Sequence, residues 1–587
     1  MTVEDPFAHL HDEDYAAAFS RDWVGASSFV DPGGRAVQSL DGDWEMTLDP
    51  FDEGLRQRWY ALDDAPPESW RVPRDYDPGG ADIVPVPSCW NLLRPELKYY
   101  EGAVWYVRSF DATPAPGMRQ LLQFGAANYA ARVFLNGRFL GAHRGGSTPF
   151  TLDATQALVA GKNRLMVHVE NRRRDDRVPM SHFDWFNYGG LHRGVGLLQV
   201  PALHVKSFAM HLVADSDKAI EVRVELSAQV DAAAHVFVSE LGLEAPLEIA
   251  GGVGTARIAA KPELWSPERP RLYDIEIVCG SDRVRERVGF RRIATRGTDI
   301  LLNGSPLRLK GACVHEDDVV RGRCTDGADI ARRLADIKAL GGNFLRLSHY
   351  PHDPLVARMA DEAGLLLWAE IPVYWAIDFA NPDTYADAEN QLLELVARDR
   401  NRASVILWGV GNENADTDAR YRFMASLADA ARRADPTRLV SAACLVNREK
   451  FRIEDRLAAK LDVIGLNEYF GWYEPDPKDL ARLLANSDPG KPLLISETGA
   501  DAVAGLHGAE TLLFGEERQA AFYRNQLDIL RLFPYVQGMA VWLLYDFRSE
   551  RRQTRFQRGW NRKGLIAEDK TTRKAAFAAL RDAWANW

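Results

Sequence analysis

The pattern of apolar and polar positions changes near residue 294. Before it, short segments alternate apolar and polar residues; after it, apolar runs alternate with stretches of helical spacing. From about 36 to 205 the alternating segments recur between turn signals, at 42–48, 103–107 and 132–135. Asn136-Gly137, followed by Arg138-Phe139-Leu140, is the strongest hairpin signal, because both residues tolerate the positive φ that a tight two-residue turn requires. This spacing predicts an N-terminal β jelly roll over 1–205. A second set of alternating strands, such as 220–226, fills 206–293, a length that suits one Ig-like β-sandwich. Beyond 294, eight apolar runs are strand candidates: 307–313, 343–348, 365–371, 405–413, 439–444, 463–469, 493–497 and 538–546. Helical patterns lie between them, as with Ile330, Leu334 and Ile337, which end at Gly341-Gly342. Eight strand–helix units in just under 300 residues predict a C-terminal (β/α)8 TIM barrel over 294–587.

Two glutamates close such runs. The fourth ends in Gly411-Asn412-Glu413 and the seventh in Ile495-Ser496-Glu497. Reactive groups of parallel barrels sit at the C-terminal ends of strands, so Glu413 and Glu497 are expected to face each other across the mouth. Paired carboxyls about 5–5.5 Å apart are the equipment for cleaving a glycosidic bond with retention: one protonates the leaving oxygen, the other attacks the anomeric carbon. The Asn412 amide stands ready for a sugar hydroxyl, and the small Gly499 after Thr498 is expected to leave room for substrate. His349 after the second strand, Asn467 and Tyr473 after the sixth, and Trp542 on the eighth are further candidates at the same end.

A chain of 587 residues is too long for one core, so two to four domains are expected. Sixteen Trp residues suit either sugar-facing surfaces or large β cores. A formal net charge of −11 argues against nucleic acid and anionic membrane as partners. Against that background, 548–563 carries Arg548, Arg551, Arg552, Arg555, Arg558, Arg562 and Lys563 with a single Glu550. A basic loop after the last barrel strand either binds an anionic group at the pocket edge or is a solvated loop paired with acidic neighbours. The five cysteines (Cys89, Cys279, Cys313, Cys324 and Cys444) show no C-x-x-C spacing, so neither a disulfide framework nor a zinc site is expected. A reducing, cytoplasmic compartment follows. Met1-Thr2-Val3-Glu4-Asp5-Pro6 has no basic start and no apolar region of a signal peptide, and no apolar stretch is long enough to span a membrane.

Nearly the whole chain resembles glycoside hydrolase family two, and within it the β-glucuronidases. The matching stretches are Gly311-Ala312-Cys313-Val314-His315-Glu316-Asp317, Leu347-Ser348-His349-Tyr350-Pro351, Gly411-Asn412-Glu413, Asn467-Glu468-Tyr469-Phe470-Gly471-Trp472-Tyr473 and Ser496-Glu497-Thr498-Gly499-Ala500-Asp501, with Asp184-Trp185-Phe186-Asn187-Tyr188-Gly189-Gly190 in the first domain. The resemblance implies a retaining exo-hydrolase of terminal β-D-glucuronides, with Glu413 as acid/base and Glu497 as nucleophile. It implies sugar contacts from Asp184, His349, Asn412, Asn467, Tyr473 and Trp542. Asn561-Arg562-Lys563 matches the family's N-x-K motif, so Asn561 and Lys563 would grip the sugar carboxylate, with an arginine role falling to Arg555 or Arg558. Thr498 stands where β-glucuronidases usually carry Tyr. Glu468 stands where they carry a basic or small residue, and would repel an anionic substrate if it pointed inward. The alternatives are a β-galactosidase-like or β-galacturonidase-like exo-hydrolase, or a non-catalytic carbohydrate-binding protein. The chemistry requires no cofactor and no metal, although a bound cation beside the sugar, as in some β-galactosidase relatives, is compatible with it. The expected partners are a carbohydrate or glycoconjugate substrate and further copies of the chain in a homo-oligomer.

Overall fold

The computed structural model describes residues 13–20, 22–61, 76, 81–214 and 216–587; the segment 1–6 read above for a signal peptide lies outside them. Eight parallel strands close into a barrel in chain order: Leu309–Val314, Phe344–Leu347, Leu366–Glu370, Val405–Asn412, Leu439–Cys444, Val463–Asn467, Leu493–Glu497 and Val536–Val541. Each corresponds to one apolar run of the sequence, and the runs are apolar throughout because barrel strands are buried on both faces. The eighth strand ends earlier than its run, so Trp542 follows the strand rather than lying on it. The helix Gly327–Ala339 buries Ile330, Leu334 and Ile337, and Asp326 starts it with a capping box closed by Asp329.

Ahead of the barrel, sheets of four and six strands form a sandwich around Trp44, Tyr106, Phe124, Val133 and Val167. Its hairpin Ala130–Leu135 to Arg138–Arg144 turns through Asn136 (φ 53°) and Gly137 (φ 80°), the positive pair that the Asn-Gly signal promised. A second sandwich of three and four strands follows, in which Ile220, Val222 and Val224 alternate inward. The first sandwich is riveted to the barrel by polar contacts. His143 Nε2 lies 3.1 Å from Glu394 Oε1, the Tyr129 hydroxyl bonds Asp387, and Arg193 donates to Glu316 (2.9 Å) and to the Pro351 carbonyl (2.8 Å). The segment 171–194 meets the barrel directly, Trp185 packing against His349 and Tyr374 and Asp184 accepting from Ser549. All five cysteines are free, and among the described residues no helix is long and apolar enough to cross a membrane.

Candidate active site

Parallel pairing puts Asn467 beside Glu497 and ties the Glu413 backbone N–H to the Ala443 carbonyl (3.1 Å), so both glutamates stand at the C-terminal rim. The centre of the arrangement is Arg346, a charged residue inside an apolar strand with no solvent exposure. Its guanidinium grips Glu370 with two bonds of 3.0 Å, donates to Glu497 Oε1 (2.8 Å) and reaches Asn412 Oδ1 (2.7 Å). A bidentate partner and buried surroundings fix this cation in one geometry. Burial at Gly409 follows from the same crowding: a Cβ there would sit 2.5 Å from Glu370 Cβ.

Glu497 is 4% exposed, and the Tyr469 hydroxyl donates to its Oε2 at 2.7 Å. Burial and the charge of Glu413 push the Glu497 carboxyl up to about 8, against the pull of Arg346 and Tyr469. Burial and the two carboxyls keep the Tyr469 phenol far above its usual range, so it remains a donor. Glu413 is half-buried with φ 54°. Such left-handed backbone is uncommon outside glycine and concentrates at functional sites. Its Oε1 accepts from Asn467 Nδ2 (2.9 Å) and its Oε2 from Trp375 Nε1 (2.8 Å). Trp375 is fixed in turn: its N–H meets the Asn412 carbonyl (2.9 Å) and its carbonyl accepts from Asn414 (2.9 Å).

His349 and Trp542 form the aromatic wall, with ring centroids 5.1 Å apart and planes within 19°. Burial and Arg346 hold His349 well below its usual range, so it is neutral, and Nδ1 contacts Glu370 Oε1 at 2.7 Å. Trp185 of the first sandwich and Tyr374 complete this wall, Tyr374 lying 4.8 Å from His349. Asn412 keeps its Nδ2 buried and unpartnered, an amide aimed at something other than protein. Asn467 is more committed than expected: Nδ2 also reaches Asn412 (3.0 Å), and Oδ1 accepts from Ser496 (2.7 Å). The room beside Gly499 is not kept for substrate. A Cβ there would meet the Trp542 carbonyl at 2.0 Å, so the glycine admits the backbone that carries Trp542.

At the far end, Lys563 is 1% exposed and Asn561 fully buried. Lys563 Nζ bonds Asp501 Oδ2 (2.5 Å) and the Tyr473 hydroxyl (2.8 Å), while Asn561 accepts the Lys563 N–H (3.2 Å) and leaves Nδ2 without a partner. Lys563 holds the Asp501 carboxyl below its usual range. Tyr473, half exposed, is shared with Arg552 Nη1 (2.9 Å), whose other nitrogen pairs with Asp184; Ser549 donates to Asp184 at 2.5 Å. The arginine that reaches this end is therefore Arg552. Arg555 stacks on Phe556, and Arg558 bonds the Arg555 carbonyl within the loop. The two ends are continuous, because Tyr473 packs against Tyr469 at 5.4 Å.

Glu468 is buried, its backbone N–H bonded to the Glu497 carbonyl (3.0 Å). Its carboxyl accepts from the Phe470 N–H (3.1 Å) beside Thr498, is 3% exposed, and acts on Tyr523 of the helix Glu516–Leu530 outside the barrel wall. Burial pushes it up to about 7. Sequence reasoning missed several partners. Arg346 had a signal, a charge in the middle of an apolar strand, and so did Glu370, a third carboxylate at a strand end. Trp375 and Ser549 had none.

Residues 37–201 match the family description "Glycosyl hydrolases family 2, sugar binding domain", residues 203–291 "Glycosyl hydrolases family 2", and residues 293–586 "Glycosyl hydrolases family 2, TIM barrel domain". The chain is 29% identical to a beta-glucuronidase of Paenibacillus borealis across 94% of this chain and 97% of the relative. It is 28% identical to the Homo sapiens beta-glucuronidase across 94% and 91%. Among solved structures, the beta-glucuronidase of Ruminococcus gnavus superposes with a TM-score of 0.83 at 26% identity, covering 96% of this chain and 100% of that one. A beta-galacturonidase of Eisenbergiella tayi superposes at 0.81 with 27% identity, covering 94% and 97%. With every domain matched in order and the barrel model spanning half of the chain, this protein belongs to glycosyl hydrolases family 2 and is a glycoside hydrolase.

Proposed function

We propose that the chain is a retaining exo-β-glucuronidase. The observation that carries the reading is the buried ammonium of Lys563 and the orphan amide of Asn561, joined to the nucleophile candidate through Tyr473, Tyr469 and Glu497. A carboxylate entering a site that already holds two carboxyls needs a cation and an amide donor to offset desolvation and repulsion. Relatives named beta-glucuronidase, and one Ruminococcus gnavus structure in complex with D-glucuronic acid, support the same substrate class.

Glu413 acts as acid/base and Glu497 as nucleophile. The bonds from Arg346 and Tyr469 to its two oxygens stabilise the ionised form of Glu497 that must attack, against the burial that raises its carboxyl. Glu413 donates to the leaving oxygen while Glu497 forms a glycosyl ester. Glu413, left as a carboxylate by that donation, then takes a proton from the water that attacks the ester and releases the sugar. Asn412 and His349 receive hydroxyls beside the reacting carbon, Asn467 steadies Glu413, Trp542 covers the apolar face of the ring, and Asp184 with Tyr473, Asn561 and Lys563 fixes the distal end. Domain divisions at 205 and 293, a cytoplasmic location and a homo-oligomer belong to the same reading, the location supported by the free cysteines.

A panel of aryl β-glycosides differing only at carbons six and four tests the substrate. The β-glucuronide is expected to be hydrolysed fastest, and the first-formed anomer seen by NMR is expected to be β. Preference for the neutral glucoside would overturn the reading. A β-galacturonidase, the second reading, is favoured by the superposition on the Eisenbergiella tayi enzyme and predicts the carbon-four epimer as best substrate.

A further inference from the structure

Arg551 and Arg552 are neighbours in sequence that serve different ends of the pocket. Arg552 is bound to Asp184 and Tyr473, at the end that holds Lys563. The Arg551 guanidinium lies over the Trp375 ring, 4.4 Å from its centroid, and that ring donates to Glu413. An acid/base carboxyl must touch the glycosidic oxygen, and the departing group lies just beyond that oxygen. Arg551 and Trp375 therefore mark the side from which the aglycone leaves.

Charge bookkeeping along the loop isolates Arg551 further. Arg548 pairs with Asp317, Arg552 with Asp184, Arg562 with Asp546 and Glu568, and Lys563 with Asp501. Among the described residues, no carboxylate pairs with Arg551, Arg555 or Arg558, and of these three only Arg551 stacks on a residue bonded to Glu413. A guanidinium laid on an indole keeps its donor edge free for a carboxylate or sulfate, while the uncovered part of the indole accepts a sugar face. The platform is rigid, because backbone bonds on both sides of Trp375 tie it to Asn412 and Asn414.

We propose that Trp375 and Arg551 form an aglycone subsite that selects an anionic sugar, so that the preferred substrate is a terminal β-glucuronyl unit linked to an acidic saccharide. This rests on the β-glucuronidase reading. The test compares kcat/KM for three disaccharides of similar leaving-group strength, with glucuronic acid β-linked to glucose, to glucuronic acid, or to glucose 6-sulfate. An aryl β-glucuronide serves as reference. Wild-type enzyme at low salt is expected to prefer the acidic aglycones about three- to tenfold. Arg551→Gln, and salt near 0.5 M, are expected to bring that ratio close to one, and Arg551→Lys to keep part of it. Which acidic aglycone is faster distinguishes carboxylate from sulfate as the group recognised. A wild-type ratio at or below one overturns the proposal. So does an equal loss on all three disaccharides in Arg551→Gln, which would make Arg551 a positioning residue for Trp375 and Glu413. No turnover of the aryl β-glucuronide would overturn the β-glucuronidase reading first.

Discussion

The two ends of this pocket solve opposite electrostatic problems with different parts of the chain. At the reacting end, Glu370 and Glu497 converge on one fully buried cation, Arg346, while Glu413 is held by Asn467 and Trp375, and burial together with the charge of Glu413 raises Glu497 to about 8. All of these groups stand on or next to barrel strands, the second, third, fourth and seventh. At the recognition end, Lys563 and Arg552 each already hold a carboxylate, Asp501 and Asp184, and the side chains come from the loop 549–563, from residue 501 and from the first sandwich. On the proposed function, the difference makes reactivity a property of the barrel, and selectivity a property of what is laid across it. Mutations at the two ends should therefore fail in different ways.

The largest effect belongs to Glu497→Ala. Turnover is expected to fall by at least about 10⁴-fold on every glycoside, with the circular dichroism spectrum unchanged. Wild-type rates in that variant would refute the nucleophile. Glu413→Ala should instead depend on the leaving group, losing little on an activated aryl glycoside and much on an alkyl one, because only the poor leaving group needs protonation.

Lys563→Ala comes next and should separate the ends. On an aryl β-glucuronide, kcat/KM is expected to drop about 10²–10³-fold, the cost of removing one partner from a buried charged contact, while any activity on a neutral β-glycoside drops far less. Because Asp501 is then left buried and unpaired, Tm should fall as well, and the double variant Lys563→Met with Asp501→Asn should recover much of it without recovering glucuronide activity. Equal loss on both substrates would make Lys563 structural. Tyr469→Phe removes one bond to the Glu497 carboxylate and is expected to lower kcat about 10- to 100-fold on all substrates alike.

The smallest effect concerns Glu468, which sits behind the reacting end. Burial raises its carboxyl from its ordinary 4.5 to about 7. Between those values the folded state holds a proton that the unfolded state has lost, so this group's contribution to stability falls as pH rises from 4.5 through 7. Glu468→Gln should flatten the decline of Tm across that window while leaving the kcat/KM ratio of glucuronide to neutral glycoside unchanged. A changed ratio would mean that this carboxyl does face the sugar.

The same contrast explains what was legible in the sequence. The barrel strands announced themselves as eight apolar runs, and Glu413 and Glu497 stood at their ends, because position along a parallel strand fixes which rim a side chain reaches. Which arginine of the loop reaches Asp184 and Tyr473 was not legible. Arg552 is one of several in a basic loop, and only packing against Asp184, hundreds of residues away, distinguishes it from Arg555 and Arg558. Gly499 was misread for the same reason: the chain that fills its missing side chain, at Trp542, is distant in sequence. What Glu468 does was not legible either, because the strand ends at Asn467 and the carboxyl beyond it is taken up by the Phe470 N–H.

The nucleophile is tested most directly by the mass of peptides from enzyme incubated with a 2-deoxy-2-fluoro-β-glucuronide, in which the fluorine slows the second displacement and an activated leaving group keeps the first one fast. A single sugar adduct on Glu497 is the expected result. Rapid release of product with the α configuration and no adduct, or an adduct on any residue other than Glu497, would contradict the account.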